Sequence, residues 1–461
     1  MTSSPTDRSA GGLVFSATAA QSIIGYFRNS QFEEGLAVMS GTLIGDIQRR
    51  RALILLFLVS LFNYGDRNMI GVLVPSIKAD LQLSDTEIGF ITGLAFSVFY
   101  ALMGIPIARL ADRFSRRGVV SIALAVWSAM TVACGLAQNF AQLALARVMV
   151  GVGEAGATPP SHAIIADIFP KARRAFALSV YALGSPMGVI IAYMGGAWLA
   201  QEYGWRVTLF VFGLPGIAIA IIVFLFLPEP PRGHSDAVAG DAPLVPVRVT
   251  ETLKILMSRP AFRHNAIASG LFAFLWFGLM SWAPSFFTRT HNMSIGQVGA
   301  WLSLALGVSQ FLGVWIGGVL GDRLARKDVR WYAWLCGIVM VASTPFYFLV
   351  FLTPLPLLAI GALFFPILIA IMQSGPQHWI TQAVAGPRMR TTATALYLLI
   401  VNLISGFGAQ TIGILSDVLK DRFGVNSLGV ALLGVAVVFS LWSAVHFFLI
   451  ARTLKDDIAM S

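Results

Sequence analysis

Charge is scarce in this chain. Only 12% of its 461 residues are Asp, Glu, Lys or Arg, against 57% hydrophobic, where a soluble domain carries about 25% charged residues. So little charge cannot cover a water-soluble surface, and that class is excluded. Cysteine is nearly absent too. Cys134 and Cys336 each sit in an apolar run, which excludes a disulfide framework and a thiolate metal site. No G-x-x-x-x-G-K-[ST] loop is present, so ATP is not the evident drive. Without G-x-S-x-G or H-E-x-x-H, the chain also lacks the signatures of a membrane hydrolase or zinc enzyme. No cofactor and no metal are expected.

What the chain has is apolar length, with a mean hydropathy of +0.77. Stretches long enough to cross a bilayer, roughly 20 residues each, fall near 52–75, 88–110, 118–136, 140–165, 174–200 and 207–227. Six more follow near 264–287, 297–320, 331–352, 355–383, 392–416 and 427–450. The expected fold is an all-α, multi-pass protein of the cell membrane with twelve helices in two six-helix bundles.

The net charge of +10 would suit nucleic acid, but its distribution points elsewhere. With a cytoplasmic N-terminus, one side collects Arg49–Arg51, Arg109, Arg113, Arg116, Arg117, Lys171, Arg173 and Arg174. It also takes the basic residues of 232–263 and 323–330, Arg388, Arg390 and those of the tail. The other side keeps only Lys78, Arg206, Arg289, Lys420 and Arg422. This is the positive-inside pattern through all twelve spans, with both termini cytoplasmic; membrane lipids are partners and nucleic acid is not. Residues 1–48 lack a cleavable signal pattern. Their GLVFSATAAQSIIGYF stretch reads either as an amphipathic helix on the inner leaflet or as an ill-ordered tail. The expected parts are this segment, bundles at 49–228 and 262–451, a Pro- and Gly-rich linker at 229–261, and a tail at 452–461.

An internal repeat runs at an offset of 210. ARLADRFSRR (108–117) follows the second span and GVLGDRLARK (318–327) follows the eighth. Each places an acid–base pair, Asp112–Arg113 or Asp322–Arg323, at a cytoplasmic helix end.

Inside the spans, charge needs a partner or a task, because a charge at mid-membrane costs about 2.5–3.5 kcal/mol on insertion scales. LFLVSLFNYGDRNMIGVLVP (56–75) carries Asp66 and Arg67. If the span ends near Pro75, Asp66 lies ~13 Å below that surface and Arg147, seven residues into the fourth span, ~10 Å below it. Matching depth makes Arg147 the expected counter-charge of Asp66. A carboxyl can take a proton when its partner turns away, whereas Arg stays charged; a static salt bridge is the other reading. Arg67, about 100° round the helix, is expected in an outer vestibule, and with Asn63 is a substrate-binding candidate. RVMVGVGEAGATPP (147–160) spells G-x-G-x-x-G but lacks the strand and turn of a dinucleotide site. Its glycines read as helix-packing positions, and Glu154 as a midplane substrate residue. Shifting Asp66, Arg147 and Glu154 by 210 gives Trp276, Leu357 and Phe364, so membrane-embedded charge belongs to the first half. The second half offers Trp276, Phe277, Trp282, Phe364 and Phe365, with Gln310, Gln373 and Asn402 as hydrogen-bonding groups. His162, Gln377, His378 and Gln382 could extend a polar path, and Gly184-Ser185-Pro186 and Thr158-Pro159-Pro160 permit bends.

The two loops resemble the signature loop of the major facilitator superfamily, G-x-x-x-D-R-x-G-R-R/K. The first copy departs from it at Ala108 and Ser115. NYGDRNMIGVLVPSI, VGVGEAGATPPSHAIIADIF, FPKARRAFALSVYALGSPMG and GWRVTLFVFGLPG further resemble the spinster-like branch, more closely than the second half does. The resemblance implies a secondary transporter working by alternating access, with Asp112 and Asp322 in gating loops. It implies that Asp66 and Arg147 are the proton-coupling pair and Glu154 a cavity acid. Eukaryotic members of the branch are linked to sphingosine phosphate and lysophospholipids. A monomer moving an amphiphilic, lipid-like substrate or an organic anion with protons is therefore expected. An uncoupled facilitator, a lipid scramblase and a sugar or drug transporter of the same superfamily remain open alternatives.

Overall fold

The computed structural model describes residues 45–229, 249–386 and 389–460. Most of the 1–48 segment and of the linker lies outside them. The described residues are almost wholly helical, and ten helices are long and apolar enough to cross a membrane. They are α1 (Asp46–Leu81), α2 (Asp85–Arg113), α3 (Arg116–Leu136), a joined pair at Phe176–Phe226, α7 (Pro260–Thr290), α8 (Ile295–Ala325), α9 (Trp331–Leu352), α10 (Pro356–Ala385), α11 (Thr392–Val418) and α12 (Lys420–Ala459). The joined pair turns at Gly204, whose φ of +83° suits only a residue without Cβ; it is α5 before that point and α6 after it. A twelfth crossing, α4, is broken into Phe140–Glu154 and Thr158–Ile168. Proline at the start of the second piece ends the hydrogen-bond ladder there. The expected twelve spans are present.

Helix ends follow local chemistry. Ser84 and Ser294 close capping boxes with Glu87 and Gln297 at the starts of α2 and α8, counterparts in the two halves. Ser115, where the signature pattern has glycine, accepts from the Gly118 amide and starts α3. One boundary differs from expectation in a way that matters. Pro75 lies inside α1, which runs six residues further to Leu81.

Lipid tails provide no hydrophobic drive between helices, so close packing holds the bundle. In the second half Phe262, Phe272, Met340, Ile380, Tyr397 and Phe447 form a buried cluster between α7, α9, α10, α11 and α12. The halves meet closely where α2 crosses α11: a Cβ on Gly89 would stand 2.7 Å from the Ala409 carbonyl oxygen. Two wide π turns interrupt the helices, Phe90–Leu94 in α2 and Ile191–Gly196 in α5. Such turns recur at functional sites.

Candidate functional site

The buried charges gather where α1, α2, α3 and α4 face one another. Arg67 donates from Nε and Nη2 to Glu154 Oε2, at 3.2 and 3.1 Å. Glu154 is fully buried and the Arg67 side chain 12% exposed. The Arg67 guanidinium also lies over the rings of Phe96, Tyr100 and Tyr64, 4.7, 4.6 and 5.6 Å from their centroids. Arg147 lies over the same Phe96 at 5.2 Å, so one ring serves two cations. The π turn at Phe90–Leu94 places Phe96 there, and lets Thr92, Phe96 and Ser97 share one face of α2.

Asp66 is 2% exposed and Arg147 3%. Asp66 Oδ2 accepts from Thr131 Oγ1 at 3.4 Å. Its Oδ1, and Arg147 Nε and Nη2, are buried with no hydrogen-bond partner among the described residues. The two groups act on each other electrostatically, yet the expected Asp66–Arg147 ion pair is not closed in this conformation. The extra length of α1 supplies the reason. Measured from Leu81, Asp66 is fifteen residues or ~22 Å down, whereas Arg147 is ~10 Å and Glu154 ~21 Å from Phe140. The first helix's charges thus stand level with Glu154. Arg67 is consequently not in an outer vestibule but clamped against α4.

Glycine explains how α4 comes so near. A Cβ on Gly151 would meet the Phe96 carbonyl oxygen at 2.6 Å, and one on Gly153 the Trp127 amide nitrogen at 2.8 Å. The G-x-G-x-x-G stretch is a helix-packing seam, as its context implied.

The other candidates divide. Asn63 is buried on α1, its Nδ2 unpartnered. Phe277 lines a cavity of about 20 Å³ with Arg67, Asn68, Thr92, Phe96 and Ser97, room for roughly one water. Trp276 is half-buried against Phe272 and the second-half core. Gln373 is fully buried, with Nε2 3.2 Å from Met340 Sδ and Oε1 unpartnered. Asn402 bonds the Leu398 carbonyl, and Gln310 is half-buried on α8. Trp282 is structural, fully buried and donating to the Ala409 carbonyl oxygen at 2.8 Å. Phe365 is exposed on the outer face of its helix. His162 packs edge-on against Tyr181, and His378 bonds the Ser374 carbonyl.

The sequence pattern of the Major Facilitator Superfamily matches residues 56–409. The chain belongs to the major facilitator superfamily. This facilitator is 34% identical over 406 residues to an MFS-type efflux pump of Mycolicibacterium smegmatis, covering 87% of the chain and 92% of the pump. Human protein spinster homolog 1 is 27% identical over 415 residues, covering 85% and 77%. The fold matches a bacterial homolog of the human lysosomal transporter Spinster, crystallised inward-facing and unoccupied. That match has a TM-score of 0.80 at 29% identity, over 90% of this chain and 99% of the other. A D-xylose–proton symporter shares the fold alone, with a TM-score of 0.65 at 17% identity over 85% and 96%. The chain is thus a multi-pass transporter with spinster-like relatives, not an enzyme.

The ends of the facilitator are unequal. At the Asp85 end the halves are bound together. Asp85 accepts two bonds of 2.7 Å from Arg289 and one of 2.7 Å from Ser416, and pairs with Lys78. Asp417 accepts from the Thr86 amide and hydroxyl at 2.7 Å each. At the opposite end Asp112 and Arg113 are exposed and make no ion pair among the described residues. Asp322 accepts from Tyr332 within its own half at 2.9 Å, and Arg323 is exposed beside it. Missed in the sequence were Phe96, Tyr100, Thr131 and the Asp85–Arg289 lock. Only the spacing of Phe96 and Tyr100, one turn apart, hinted at the first two.

Proposed function

We propose that this facilitator is a proton-coupled secondary transporter that moves an amphiphile by alternating access, with both termini in the cytoplasm of a cell whose plasma membrane holds it. One observation carries the coupling: Asp66 is buried with an open carboxyl oxygen while its nearby cation, Arg147, is unpaired. In this conformation the carboxyl holds the proton. It gives the proton up to the side this conformation faces as Arg147 reaches Asp66, and takes up another from the far side when the halves rock and the Asp85 end opens. With the basic loops inside, the conformation described here is inward-facing, closed by the Asp85 lock. It leaves Asp112 and Arg113 disengaged.

The cavity supports an amphiphile. Arg67 lies on the first half and Phe277 with Met280 on the second, so a charged head and an apolar tail would meet unlike walls once the halves part and widen the present one-water space. The M. smegmatis relative favours export as the direction.

Proteoliposomes with an imposed pH gradient test the coupling, with a fluorescent lysophospholipid as cargo. Wild type moves it faster with the gradient, and Asp66→Asn moves it at the same rate with or without. A gradient response that survives in Asp66→Asn removes Asp66 from coupling, and a wild type blind to the gradient identifies an uncoupled facilitator.

A further inference from the structure

A groove opens at the basic end of the second half, lined by none of the buried charges described above. It has a volume of about 530 Å³ and runs between the α8–α9 turn, α10, the start of α11 and the end of α12, lined by Val329, Trp379, Ala383, Arg390, Lys455 and Ile458. That volume falls within the range of small-molecule sites. Its floor is apolar, and one wall is rigid: Trp379 stacks on Tyr332 with ring centroids 4.1 Å apart. The frame is fixed by Arg259, which donates to the Val384 and Met460 carbonyls and so ties α10 to the end of α12. Two exposed cations border the groove. Arg390 has no ion-pair partner among the described residues. Lys455 shares one carboxylate, Asp328, with Arg330, and an ammonium has three donors, so it keeps donors for another anion. Trp331, Trp334 and Trp379 lie around this end, as tryptophan does at membrane–water boundaries.

We propose that this groove binds an anionic phospholipid, its phosphate between Arg390 and Lys455 and an acyl chain along Val329, Trp379 and Ile458. Two cations with too few acids, bordering an apolar trough, match a phosphate joined to a tail; a zwitterionic headgroup brings its own cation and gains less. The site rests on the chain's membrane-spanning fold and not on the coupling assigned to Asp66.

The full-length protein in micelles is titrated with phosphatidylglycerol or phosphatidylcholine carrying brominated acyl chains, and tryptophan quenching is read. Each basic residue near an anionic surface contributes about a five-fold preference. Arg390→Gln and Lys455→Gln should therefore each weaken phosphatidylglycerol binding about five-fold, and together roughly 25-fold. Phosphatidylcholine binding should not change, and Arg390→Lys should keep the preference. Trp379→Phe should reduce the part of the quenching that distinguishes phosphatidylglycerol from phosphatidylcholine, while leaving transport intact. Equal binding of the two lipids by wild type, or an undiminished preference in the double variant, overturns the proposal. Displacement of the lipid by millimolar inorganic phosphate would instead assign the site to a free anion.

Discussion

Replacing Glu154 by Gln leaves the Arg67 guanidinium buried without its counter-charge. Breaking a buried pair from one side costs about 3–5 kcal/mol. Here the rings of Phe96 and Tyr100 remain over the cation, at 4.7 and 4.6 Å, and each such contact is worth about 0.5–2 kcal/mol. The expected loss is therefore about 2–3 kcal/mol, below the usual range. Arg67→Gln strands Glu154 instead, which has no ring to lean on and whose Oε1 already lacks a partner; its cost should reach about 4 kcal/mol. Because each single change strands a charge and the double change strands none, the double variant should lie about 2 kcal/mol above the sum of the singles in stability. Denaturant titration of the four proteins in micelles, followed by far-ultraviolet circular dichroism, measures the cycle. Strictly additive costs would show that the contact, although 3.1 Å long, stabilises nothing, and the reading of Arg67 as clamped to α4 would go with it.

Three further expectations follow from the same geometry. Gly151→Val should cost about 1–3 kcal/mol by forcing α2 from α4, and should slow transport by displacing Phe96; a variant melting and transporting like wild type would mean the helices have slack. Asp85→Ala frees Arg289, Lys78 and Ser416 at once. With charged hydrogen bonds worth about 1.5–3 kcal/mol each, it should raise maleimide labelling of a cysteine at Ser281, in a Cys134→Ala, Cys336→Ala background, at least ten-fold from the Asp85 side. Unchanged labelling would place the gate elsewhere. Tyr332→Phe removes the hydrogen bond to the Asp322 side chain and should cost about 1 kcal/mol without altering cargo affinity. A changed affinity would link that loop to the cavity.

Much of this molecule is decided by composition and order along the chain. Twelve apolar runs, a repeat at 210 residues and basic residues on alternate loops specify the membrane fold, because a bilayer offers backbone groups no partner and so admits few architectures. The same one-dimensional pattern singled out Asp66, Arg67, Arg147 and Glu154, since charge in an apolar run is costly wherever it lands. Which of them touch was settled only in three dimensions. Pro75 looked like a helix end, yet α1 continues to Leu81, and that shift of ~9 Å moved Arg67 onto Glu154 and left Asp66 and Arg147 apart. The π turn that brings Phe96 beneath two guanidiniums has no local signature, and the Asp85–Arg289 lock joins residues 204 positions apart. Depth and facing depend on where helices stop and how closely they cross, and those are properties of the packed bundle.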